Sequence, residues 1–230
     1  MKVCYISGYW GKNSDRVLGR RPDEYLQAYR YVHAVKSGSH LMDFWVSRQN
    51  GNKQWITTSN FTSVRRWFGL FVEQSVAANG WDGALLVHVP SKNAVTSATM
   101  PRSLDMLIEA MAQTNLAGLV TDALRWTTKL GPSHEGGERR RRELSPHLVV
   151  TQPVAGHDIV LVDDLLTRGG NMLACKDVLE AAGANVVGGV TCGHTMYDRS
   201  IQAFGRQAIE LNDELSDLGR LTGGPTPPNA

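Results

Sequence analysis

Residues 157 to 170 read HDIVLVDDLLTRGG, with Asn171 and Met172 following. Ile159 to Val162 is a short, continuously apolar run, the pattern of a strand buried on both faces in a parallel sheet covered by helices. It leads directly into two adjacent carboxylates, Asp163 and Asp164. Open α/β sheets bind ligands at the carboxyl ends of their strands, so this acid pair stands where a site is expected. Thr167, Arg168, Gly169, Gly170 and Asn171 then make a tight turn into a helix marked by Met172, Cys175, Leu179 and Ala182 and ended by Gly183. Backbone N–H groups of such a turn, together with the helix N-terminus, form an anion cradle that suits a phosphate.

The same texture extends outward. Ala84 to Val89 and Val186 to Val190 are further apolar runs, and Leu104, Leu107, Ile108 and Met111 mark a covering helix after Pro101. Ser200 to Leu211 is expected as a third helix. These alternations predict an α/β core of about five mainly parallel strands flanked by helices over residues 83–215. Residues 1–82 differ, holding five of the six tryptophans (Trp10, Trp45, Trp55, Trp67, Trp81) and few long apolar runs, and are expected as a separate N-terminal hood-like lobe. Within them Gln49-Asn50-Gly51-Asn52 predicts a hairpin turn, and Val64 to Ala78 has the apolar spacing of an amphipathic helix. Residues 216–230 are Gly/Pro-rich without periodicity and are expected to be a disordered tail.

Composition sets outer bounds. The chain has 230 residues, 42% hydrophobic and 20% charged, which excludes a wholly disordered, collagenous or coiled-coil protein. A net charge of +2 is too small for general nucleic-acid affinity, so any basic surface is local. Three widely spaced cysteines argue against a disulfide framework. No secretory core and no run of 18 apolar residues is present, which predicts a cytoplasmic protein with no membrane partner. Neither a Gly-x-Ser-x-Gly elbow nor a Walker-type loop occurs. Cys192 and His194 lack a second ligand pair at zinc spacing and read as packing, as does His88 on its apolar strand; the tryptophans read as core, with an aromatic platform for a base as the alternative.

VLVDDLLTRGGNM resembles the phosphoribosyl-pyrophosphate-binding motif of type I phosphoribosyltransferases: strand, two acids, then a Thr/Gly phosphate loop. The resemblance spans residues 83–195 and is nearest to the competence-associated phosphoribosyltransferase-like group, whose Pro-Ser/basic step and Arg-Ser helix start are similar to Val89-Pro90-Ser91-Lys92 and Arg102-Ser103, and whose basic stretch is similar to residues 124–142. It implies that Asp163 and Asp164 hold the ribose hydroxyls and that Thr167, Arg168, Gly169, Gly170 and Asn171 bind the 5′-phosphate. By the same resemblance, Ser91, Lys92 and Arg102 serve the pyrophosphate end, and Lys129 with Arg139, Arg140, Arg141 and Arg142 belongs to a mobile basic loop closing over it. Mg²⁺ is implied as a companion of the diphosphate, with Asp163 or Asp164 the only direct protein ligand to be considered, and a homodimer is implied as the assembly. Arg168 and Asn171 stand where the family more often has Thr, and the zinc-binding cysteines of competence-associated members are missing, so a DNA-uptake role does not transfer.

The implied reaction moves a phosphoribosyl group from phosphoribosyl pyrophosphate to a nitrogenous base and releases pyrophosphate. It develops positive charge on the sugar and negative charge on the leaving group, so positioning and electrostatics suffice and no covalent nucleophile is needed. Some relatives carry an acid that assists the base three positions beyond the second carboxylate; here that position is Thr167. A non-catalytic sensor of the donor or of a nucleotide needs only the phosphate cradle, and a nucleic-acid accessory role of the arginine run requires salt-dependent polynucleotide binding.

Overall fold

The computed structural model describes residues 1–11, 14–15, 18–47, 52–129, 141–196 and 200–212. Its centre is a six-stranded sheet of order β10-β1-β9-β8-β4-β5, built from β1 (Lys2–Tyr9), β4 (Leu85–His88), β5 (Val120–Thr121), β8 (Asp158–Leu166), β9 (Asn185–Thr195) and β10 (Phe204–Glu210). All neighbours run parallel except β1 and β10. Two ribbons complete the strands: β2 (Phe44–Ser47) with β3 (Lys53–Ile56), and β6 (Leu124–Trp126) with β7 (Leu148–Val150). The helices are α1 (Asp23–Ser37), α2 (Ser63–Ala78), α3 (Arg102–Met111), α4 (Arg141–Leu144) and α5 (Gly170–Ala181). Among the described residues no helix is long and apolar enough to cross a membrane.

The continuous apolar runs split between two cores. Val160 and Val162 of β8 pack with α1, α2 and α3 through Val32, Val35, Phe68, Val72 and Leu107. Ile159 and Leu161, one residue out of phase, pack on the other face with Met172, Leu173, Cys175 and Leu179 of α5 and with Trp126 and Leu148. Alternation along a strand covered on both faces therefore needs apolar residues at every position. The α2–α3 contact is close enough to require Gly69, where a Cβ would stand 1.8 Å from the carbonyl oxygen of Ala110.

Two expectations are corrected. Residues 204–210 form an antiparallel edge strand, not a helix; their burial alternates between half-buried and exposed, the period of two that an edge strand shows. Strand β1 lies inside the central sheet between β9 and β10, so the first nine residues belong to the core sheet although residues 1–82 read as a separate lobe. The strands on either side of the expected hairpin turn pair antiparallel as β2–β3, residues 48–51 of the turn lying outside the described residues, and the helix over 64–78 is present as α2. The helix α1 was not legible as such, although Asp23 and Glu24 in its first turn and Gly38 in the left-handed conformation at its end are ordinary boundary signals.

Candidate functional site

Strand β8 carries the acid pair past the edge of the packed layers. Because side chains alternate along it, Asp163 continues the row of Ile159 and Leu161 toward α5, whereas Asp164 continues the row of Val160 and Val162 toward α1 and α3. The neighbours agree: Asp164 is met by Lys36 Nζ of α1 at 3.0 and 2.9 Å and by Arg102 of α3 at 3.7 Å. Burial raises the Cys175 thiol of α5, and ionisation of the nearby Asp163 would raise it further, which sets Asp163 on the α5 side. The two acids are thus differently employed. Burial, reinforced by the neighbouring Asp164 charge, pushes the Asp163 carboxyl up to about 8, with Lys36, the Asp164 N–H and Arg102 opposing. Its Oδ1 accepts that N–H at 2.7 Å.

After β8 the chain turns through exposed Thr167 and Arg168 to Gly169, which caps α5 at φ 77°. A side chain is excluded there twice over: the left-handed φ disfavours it, and a Cβ would lie 2.2 Å from Leu211 Cδ1. The first α5 hydrogen bond runs from Leu173 N–H to the Gly169 carbonyl, leaving the preceding amides of the turn without helical partners. Asn171 Oδ1 is buried with no hydrogen-bond partner. Because a carboxamide is reversible, Asn171 can present either its oxygen or its NH₂ to a ligand.

The second wall is the Pro90–Ala98 loop. Val89 N–H bonds to the Val162 carbonyl at 2.8 Å, which sets the end of β4 and the loop beyond it beside Asp163. Ser91 Oγ is likewise buried without a partner. Orphaned buried polar atoms are rare in folded proteins, and here one falls in each of the two loops that were expected to meet phosphate.

The carboxyl ends of β4 and β8 thus gather Asp163, Asp164, Ser91, Arg102 and the turn over residues 167–171. Lys92 and Lys129 are exposed, as is Arg142, while Arg141 is bound to Asp177 of α5 and is tied into the helix packing. Arg139 and Arg140, with the rest of the expected closing loop over residues 130–140, lie outside the described residues, as does the tail over 216–230.

Lys36 was missed by sequence reasoning, since its partner lies 128 positions away. One turn earlier on α1, His33 Nε2 lies 3.1 Å from Tyr9 Oη, and Tyr9 stacks on Tyr29 at 5.2 Å between ring centroids. Burial, helped by the Lys36 charge, holds His33 below the usual imidazole range. Tyr29 and His33 also border a cleft of about 340 Å³ shared with Leu26, Arg30, Leu41, Met42 and Phe44.

Among the described residues no three potential metal ligands cluster. The three cysteines are free and buried, and His88 is fully buried with both ring nitrogens in hydrogen bonds, as a satisfied core histidine.

No protein-family model and no curated protein matches the chain. Among solved structures it is similar to an adenine phosphoribosyltransferase, at 16% identity and a TM-score of 0.39 over 71% of this chain and 89% of that one. It is also similar to the orotate phosphoribosyltransferase of Mycobacterium tuberculosis H37Rv, at 16% identity and a TM-score of 0.34 over 76% of this chain and 95% of that one. Likenesses at this level decide neither ancestry nor activity, and neither singles out the competence-associated group.

Proposed function

We propose that the chain is a phosphoribosyltransferase that moves a phosphoribosyl group from phosphoribosyl pyrophosphate to a nitrogenous base. The observation that carries this reading is the convergence, at the carboxyl ends of two adjacent parallel strands, of an acid pair with two loops that each hold an orphaned buried polar atom, Ser91 Oγ and Asn171 Oδ1. The turn over Thr167, Arg168, Gly169, Gly170 and Asn171 takes the 5′-phosphate, because its amides precede the first hydrogen bond of α5 and Gly169 supplies the left-handed conformation that starts the helix. Asp164 takes the ribose hydroxyls. Lys36 and Arg102 are its ion-pair partners in the free protein, and the incoming diol exchanges with Lys36. Asp163 braces the turn through the Asp164 N–H and holds its proton near neutral pH.

Charge balance governs the transfer itself. As the bond from ribose C1 to the diphosphate lengthens, positive charge grows on the sugar beside Asp164 and negative charge on the departing oxygens beside Ser91, Lys92 and Arg102. The nitrogen of the acceptor forms the new bond to C1 as the old one breaks, and pyrophosphate carries away the bonding pair. Mg²⁺ bound to the diphosphate would supply further charge neutralisation, with Asp163 or Asp164 the carboxylates available to it. The cleft bordered by Tyr29 and His33 is the place we assign to the acceptor, one helical turn from Lys36. Cytoplasmic residence and a homodimer belong to the same proposal.

The test compares wild type with Asp164→Asn, using calorimetry for donor affinity and pyrophosphate release over a panel of bases with Mg²⁺. Removing a charge that acts on the developing cation should lower release by at least ~100-fold while donor affinity falls much less. Binding without release with any base would favour the sensor reading, and absence of binding would contradict the assignment of the site.

A further inference from the structure

Beneath Ser91 runs a chain of buried polar groups to which the reaction gives no task. His88, the last residue of β4, has Nδ1 at 3.0 Å from Ser103 Oγ and Nε2 at 3.0 Å from Asp122 Oδ1. Ser103 Oγ accepts the Ser91 N–H at 3.0 Å. Asp122, as a carboxylate, accepts from His88 Nε2, and the hydrogen bond between Ser103 Oγ and His88 Nδ1 takes the direction set by the imidazole's tautomer. Asp122 also receives the guanidinium of Arg125. Burial opposes ionisation of Asp122, but the hydrogen bonds from His88 and Arg125 outweigh it and hold its carboxyl down at about 2. Arg125 Nη1 in turn donates to the carbonyl of Ala98 at 2.8 Å.

The chain thus starts on the amide of Ser91 and ends on the carbonyl of Ala98, at the two ends of one loop. Trp126 closes the circuit: its N–H donates to the Ala94 carbonyl, its carbonyl accepts the Thr96 N–H, and its indole Nε1 donates to the carbonyls of Pro90 and Ser91. A residue serving only to fill this space could be Leu or Phe, as its neighbours on β4 are apolar. An apolar side chain could not pass a hydrogen bond to the loop. The polar chain satisfies the backbone of the loop while leaving the Ser91 hydroxyl buried and unspent.

We propose that Ser103, His88, Asp122 and Arg125 are positioning residues that hold the Pro90–Ala98 loop in the shape that offers Ser91 and Lys92 to a diphosphate. The proposal rests on the reading that this loop meets the diphosphate; the four residues themselves touch no ligand.

The test uses the full chain and Mg²⁺–pyrophosphate as probe, with calorimetric affinity and hydrogen exchange of the amides of residues 91–98, taking β9 as internal reference. Ser103→Ala removes the acceptor of the Ser91 N–H and should weaken pyrophosphate about 10-fold, the loss expected for one buried hydrogen bond, and speed exchange in the loop alone. Ser103→Thr keeps the hydroxyl and should restore most of the affinity. Asp122→Asn, at the less buried end of the chain, should shift both readouts in the same direction by a smaller factor. Wild-type affinity in Ser103→Ala and Asp122→Asn, or a loss matched by faster exchange in β9, would overturn the positioning role alone. A wild type that takes up no pyrophosphate would overturn it together with the function on which it rests.

Discussion

The ion pair between Lys36 and Asp164 ties α1 to the ligand end of β8, and its strength can be read from a double-mutant cycle. Lys36→Met keeps the aliphatic stem and removes the ammonium, whereas Asp164→Asn keeps the shape and removes the charge. The side chains are 32% and 12% exposed, so the pair stands between an exposed bridge, worth about 0–1 kcal/mol, and a fully buried one, whose breaking costs about 3–5 kcal/mol. Arg102 at 3.7 Å still faces Asp164 when Lys36 is gone and offsets part of the loss. Each single variant should therefore lose about 1–2 kcal/mol, with a coupling of about 1 kcal/mol between them. For a chain of this length that loss lowers the melting temperature by about 2–8 °C. Urea unfolding of the four proteins at pH 7.5 provides the measurement. Additive effects, with coupling below about 0.3 kcal/mol, would show that the contact carries no energy and that Asp164 is not held for a ligand by α1.

Two further outcomes follow from the same geometry. Gly169→Ala places a Cβ against Leu211 in a left-handed conformation and should cost at least ~1–2 kcal/mol from backbone strain alone, with loss of phosphate binding in a titration; a Leu211→Ala partner should relieve the clash but not the strain. Asp163 binds its proton more tightly folded than unfolded, so between about pH 4 and its value of about 8 the folded state carries the extra proton and stability falls as pH rises, by up to about 1.4 kcal/mol per pH unit. Asp163→Asn should flatten that slope in urea unfolding over pH 5 to 8, and an unchanged slope would show that Asp163 is ionised throughout.

What the sequence made legible was what local chemistry determines. Ile159 to Val162 announced a strand covered on both sides, and the structure explains why every position had to be apolar, since alternate residues serve different cores. The glycines at 169 and 170 likewise announced the turn into α5. The strand over 204–210 was misjudged because an edge strand presents one half-buried face and spreads its few apolar residues among polar ones. The resemblance implied one shared task for Asp163 and Asp164, whereas neighbouring residues on a strand point to opposite faces and here meet different partners. Lys36 and Asp122 were beyond sequence reasoning for another reason: each acquires its role only when the fold brings it to a partner 128 or 34 positions away.

A crystal structure with phosphoribosyl pyrophosphate and Mg²⁺ measures directly where the phosphoribosyl donor sits. The expected result places the 5′-phosphate within hydrogen-bond reach of the amides of residues 169–171, the ribose hydroxyls on Asp164 with Lys36 displaced, and the diphosphate beside Ser91. Donor density away from the carboxyl ends of β4 and β8, with the Lys36–Asp164 contact intact, would contradict it.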